Sequence, residues 1–182
     1  MKKLFSLLSI LFLLGTVSIQ ALRAPQFTEY EVKAAYIFNF TKFINWPKTT
    51  FSLSNPPFVV GIYGDDPFGL ILAKIFEGRT IKGRKLVIEH YYKPEEINNC
   101  NVLFISKSVK GRIELTNVIN VVQEKSILTI GDNIQEFCEL GGMINFTRQY
   151  AKHRFEINNN AANRADITIS QKLLSLANII ND

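Results

Sequence analysis

Three short turns carry the residue types best suited to chemistry: Gly64-Asp65-Asp66, Ser106-Lys107-Ser108 and Gly131-Asp132-Asn133. Each follows an apolar run of strand character. That spacing predicts Asp65, Asp66, Ser106 and Asp132 on one rim of a parallel sheet, outside the carboxyl ends of its strands, where open α/β sheets bind ligands. Carboxylates and hydroxyls there could hold a cation or a polar ligand. Asp, Ser and Asn also cap helices and make turns after strands, which is their commoner use. The glycine-flanked GIYGDDPFG (61–69) is not a phosphate loop. Such a loop needs bare amides and usually a lysine, and two aspartates would repel the phosphate.

Other reactive residues are isolated. His90 and His153 fall in predicted strands with no partner at ligand spacing, so no metal site is expected. No GxSxG elbow or HExxH helix is present, and neither cysteine belongs to a CxxC motif. The chain is therefore read as a non-enzyme, with no catalytic residue and no cofactor. Cys100 and Cys138 could bond, closing a loop of roughly 40 residues and adding about 3–4 kcal/mol. Their Cα atoms would have to come within about 7 Å. A strand over 127–131 is placed to lie between theirs, and neighbouring strands are about 4.8 Å apart. Bonded and free states both stay open.

The elements that must position these residues are legible as periodicities. Thr28 with Glu31 forms a capping-box pattern, predicting a helix from there to about Asn45, stopped by Pro47. Tyr30, Val32, Tyr36, Ile37, Phe40, Phe43 and Ile44 share one broad face of it. Phe38 and Trp46 leave that face, as partner anchors or as residues covered by another layer. Lys33 lies inside the apolar arc and must reach solvent or a carboxylate; Glu156 is the expected partner. Strands are predicted over 58–64, 85–91, 102–106 and 127–131. Helical stretches fall at 70–76, 111–123 (Ile113, Val118, Ile119 and Val122 inward) and 134–140. An antiparallel hairpin follows (143–147 with 153–158), then a last helix capped by Ser170 and running through Ile180. Strands alternating with helices predict a mostly parallel sheet with helices on both faces and a closing hairpin.

The chain has 182 residues, with 21 basic and 16 acidic. MKKLFSLLSILFLLGTVSIQA has the order of a secretory signal peptide: two lysines, an apolar run, then small residues ending at Ala21. The run is shorter than the roughly 20 residues that span a bilayer. Residues 1–21 are thus expected to be removed, leaving one soluble domain over 22–182. Without Lys2 and Lys3 the charge excess is too small to argue for nucleic acid.

VKAAYIFNFTKFINWP (32–47) resembles the opening of the YfiR-like family of exported bacterial proteins. The likeness continues through VVGIYGDDPFG, IKGR, CNVLFIS, ILTIGD, FCELGGMINF and HRFEINNNAANRADITISQKLLSLA, nearly the whole chain after the leader. The resemblance implies a compact periplasmic α/β domain, often a homodimer, without catalytic residues. It implies a regulator that binds the periplasmic sensor domain of an inner-membrane diguanylate cyclase or other sensor and holds it inactive, release raising cyclic di-GMP and promoting biofilm. Members with four cysteines form two disulfides; this chain has two cysteines. A small-ligand receptor using the acidic rim is the alternative function.

Overall fold

The computed structural model describes residues 27–51, 56–149 and 152–181. The expected leader, residues 1–21, lies outside them.

Helix α1 (Glu29–Phe40) opens with the expected capping box. The Thr28 hydroxyl accepts the Glu31 amide at 3.3 Å, and the Glu31 carboxylate accepts the Thr28 amide at 2.7 Å. The helix stops five residues earlier than its apolar pattern suggests. Thr41 turns its hydroxyl back onto the Phe38 carbonyl at 2.7 Å, and Ile44–Asn45 becomes strand β1. Its antiparallel partner is β9 (Thr168–Ile169), with Ile44 opposite Ile169. Pairing with a segment more than a hundred residues away overrides the local helical preference.

The remaining strands are β2 (Phe58–Tyr63), β3 (Thr80–Ile81), β4 (Arg84–Tyr91), β5 (Val102–Ile105), β6 (Leu128–Asp132), β7 (Ile144–Gln149), β8 (Lys152–Asn158) and β10 (Asn178–Ile180). They form one sheet in the order β10-β8-β7-β6-β5-β2-β4-β3. Pairing is parallel except for β3–β4 and the hairpin β7–β8, whose register sets Phe146 opposite Phe155. The sheet is mostly parallel, as its near-continuous apolar strands predict.

Helices cover both faces. Phe58, Val60 and Ile62 of β2, with Val102 and Phe104 of β5, face α1 and helix α2 (Ile71–Phe76). Val59, Tyr63, Leu103 and Ile105 face helix α3 (Arg112–Val122), which buries Leu115, Val118, Ile119 and Val122. Ile113, expected inward, is 81% exposed. Helix α4 (Asn159–Arg164) follows the hairpin.

Two predicted helices are corrected. Residues 134–140 form turns, in which Asn145 holds both the amide and the carbonyl of Ile134. The helix capped by Ser170 is one turn only, α5 (Gln171–Leu174). Its continuation becomes β10, which pairs in parallel with β8, Ile179 opposite Ile157. Ile179 and Ile180 are β-branched and complete a sheet edge more readily than a frayed helix end.

Candidate functional site

The chain passes from β2 to β4 on one side and then to β5 on the other, so the winding reverses between β2 and β5. That is where an open sheet leaves a ligand crevice. Here the chain's own groups close it. Gly64 turns at φ 86°, and a Cβ there would stand 2.7 Å from Ser108 Oγ and 3.2 Å from Val109. Ser108 Oγ accepts the Asp65 amide at 2.9 Å, and Ser106 Oγ, itself buried, accepts the Ser108 amide at 3.3 Å. Asp66 Oδ1 accepts the amides of Phe68 and Gly69, and Oδ2 lies 3.0 Å from His90 Nε2. Asp66, Ser106 and Ser108 thus serve the turns that follow the strands, while Asp65 enters only through its backbone amide and its side chain is exposed. Among the described residues no three His, Cys, Asp or Glu side chains gather as a metal ion would require.

Asp132, the remaining rim acid, is fully buried and points into the fold rather than out of it. Its Oδ1 lies 2.5 Å from Lys33 Nζ, and Lys33 also meets Glu29 one helical turn back at 2.5 Å. Tyr30 Oη donates to Asp132 Oδ2 at 3.2 Å. Lys107 sits 5.4 Å above the Tyr30 ring, and the neighbouring Tyr30 hydroxyl raises the lysine's pKa. Lys33 therefore does meet a carboxylate, but not Glu156. Across the sheet Asp132 stands in register with Phe146 and Phe155. Those two rings pack under Tyr36 and Phe40 of α1. Successive strand residues alternate faces, so Glu156 belongs to the face away from α1.

Phe38 and Trp46 are buried, so of their two readings they are residues covered by another layer and not exposed partner anchors. Phe38 packs on Phe76 of α2 at 6.2 Å. The cations of Lys42 and Arg79 lie over its ring at 4.5 and 4.9 Å. Trp46, carried inward by β1, packs edge-on against Phe51 and Phe58. A second helix and a strand, neither visible in the helical pattern of residues 28–45, cover both side chains.

An open apolar groove lies beside them. Val32, Ala35 and Tyr36 of α1 and Ile71 and Ile75 of α2 line a groove of about 560 Å³, flanked by Glu31 and Lys74. Phe27 stands at its end, 68% exposed. Hydrogen bonding to Thr28 holds the Glu31 carboxyl below its usual range. Val32 and Tyr36 share the broad apolar face of α1 with core residues, yet both are only partly buried, Tyr36 packing on Phe146 and Phe155. The missed signal was the width of the apolar arc, broader than one sheet face can cover.

Cys100 and Cys138 are buried free thiols. Burial pushes each up to about 12, the nearby carboxylates Glu89 and Glu156 adding to it. Strand β6 lies between β5 and β7, the strands these residues precede. Two strand spacings, about 9.6 Å, exceed the reach of a disulfide. A polar cavity of about 400 Å³ opens near the carboxyl ends of β5 and β6, lined by Lys107, Arg112, Asn133, Gln135 and Glu136. None of Asp65, Asp66, Ser106 or Asp132 lines it. Arg112 pairs with Glu136 at its mouth.

Among the described residues no helix is long and apolar enough to cross a membrane. A search of the curated proteins finds no match. Residues 30–178, which span every element from α1 to the start of β10, match the family model described as YfiR/HmsC-like, and the chain belongs to that family.

Proposed function

We propose that the chain is a periplasmic regulatory binding protein, matured by cleavage near Ala21 into a single domain over 22–182. It represses an inner-membrane signalling protein, such as a diguanylate cyclase, by binding that protein's periplasmic sensor domain. The observation that carries this reading is the family match over 30–178. The groove between α1 and α2 supports it, as the apolar surface offered to a partner. Phe27 replaces Phe38 and Trp46 as the proposed anchor, because it is exposed and they are not.

Co-purification from detergent-solubilised membranes tests this. The wild-type protein should bring down an inner-membrane sensor protein, and loss of the gene should raise cyclic di-GMP. Ala35→Arg, which fills the groove with a charged chain, should release the partner while the fold stays intact. Recovery of the same partner with Ala35→Arg would move the interface elsewhere. Recovery of only a second copy of this chain would identify the groove as a homodimer contact.

A small-ligand receptor is the second reading, favoured by the cavity lined by Lys107, Arg112 and Glu136. In that case a polar ligand should raise the melting temperature of the wild type but not of Arg112→Ala.

A further inference from the structure

Lys42, Lys48, Arg79, Lys82 and Arg84 follow one another along the edge where α1 ends and the β3–β4 turn begins. Lys42 and Arg79 share the Phe38 ring, at 4.5 and 4.9 Å. Arg79 leads into β3, whose Ile81 pairs with Arg84. Arg84 donates to the Lys82 carbonyl at 3.1 Å and lies 4.6 Å over Phe51. Phe51 closes the short helical turn that Lys48 opens.

None of the five belongs to an ion pair found among the described residues. Four are exposed and Arg84 is half-buried. Five of the chain's 21 basic residues thus lie together along one edge.

We propose that this strip is a docking surface for an anionic lipid bilayer. Protein interfaces are anchored by exposed aromatic or aliphatic side chains near their centre. None of the large exposed apolar residues (Phe27, Leu70, Val87, Tyr92, Ile113, Leu176, Ile179) belongs to the strip. Its aromatic rings, Phe38 and Phe51, lie beneath the cations. A row of cations with no large exposed apolar side chain at its centre among the described residues matches a plane of phosphate headgroups, which needs charge density and no shape complement. Docking would orient the molecule at the membrane, whether or not the regulatory reading holds.

The test is sedimentation of the exported protein with vesicles. It should bind mixed phosphatidylethanolamine and phosphatidylglycerol vesicles, ignore pure phosphatidylcholine, and be released by salt, because screening shortens the reach of exposed charges. Lys48→Gln, Arg79→Gln and Lys82→Gln together should weaken binding on the order of a hundredfold, with an unchanged circular dichroism spectrum. Lys93→Gln with Lys110→Gln, away from the strip, should bind like wild type. The salt titration of the wild type keeps the test valid if the triple variant fails to fold. Absent or salt-insensitive binding overturns the proposal, as does equal binding by the folded triple variant. Binding to immobilised polyglutamate but not to anionic vesicles overturns it in favour of an acidic protein surface.

Discussion

At the carboxyl end of the sheet, Asp66, Ser106, Ser108 and Asp132 all find partners within the chain: turn amides, a histidine, a buried lysine. Beside α1, Val32, Ala35, Ile71, Ile75 and the exposed Phe27 line a groove that no other element among the described residues covers. The residues that looked chemical, Asp65 aside, are occupied by structure, while residues that looked structural line an open groove. A buried polar group must be satisfied locally or the fold loses several kcal/mol, so polar residues are the first to be committed. Apolar surface tolerates exposure at a smaller cost and can wait for a binding event.

Asp132→Ala should cost about 3–5 kcal/mol in chemical denaturation, because it deprives the buried Lys33 of a partner and leaves it only Glu29. Adding Lys33→Met should recover much of that loss, since a packed apolar pair can replace a buried ion pair. A small loss from Asp132→Ala alone would mean that the rim acid is available for ligands.

The thiols test the opposite face. With both held near 12 against an ordinary 9, alkylation by iodoacetamide at pH 8 should be roughly a thousandfold slower in the native protein than after unfolding. Both thiols keep their protons longer when folded. Their contribution to stability is complete below about pH 9 and is lost as pH climbs from 9 toward 12. Rapid labelling of native protein would show that this face opens.

Gly64→Ala sharpens the case for a closed crevice. The new methyl would meet Ser108 and Val109 at a positive φ, and the melting curve should reveal a loss of about 1–3 kcal/mol. Phe27→Ala isolates the groove: folding stability should move by less than about 0.5 kcal/mol, while partner binding weakens by about 2 kcal/mol in pull-down titrations. The smallest effect is expected at the half-exposed His90–Asp66 pair, where His90→Gln should change stability by no more than about 1 kcal/mol.

Much of the fold follows from local pattern. Runs such as FVVGIY and VLFI are buried on both faces wherever they sit in a parallel sheet, and the alternation in MINFT and HRFEIN makes a hairpin with one register. Thr28 and Glu31 cap α1 through contacts only three residues long. These features depend on neighbours along the chain, so the amino-acid sequence by itself determined them. The candidate site depended on distant neighbours. Which face of β8 lies under α1 decided that Lys33 would meet Asp132 and not Glu156. Where β9 came to rest decided that α1 would end at Phe40 and that Trp46 would turn inward. The placement of α2 decided that Phe38 would be covered and Val32 left open. A side chain's periodicity reports how it alternates along its own element, whereas its burial is set by what packs on that element from elsewhere, and only the tertiary structure supplies that second surface.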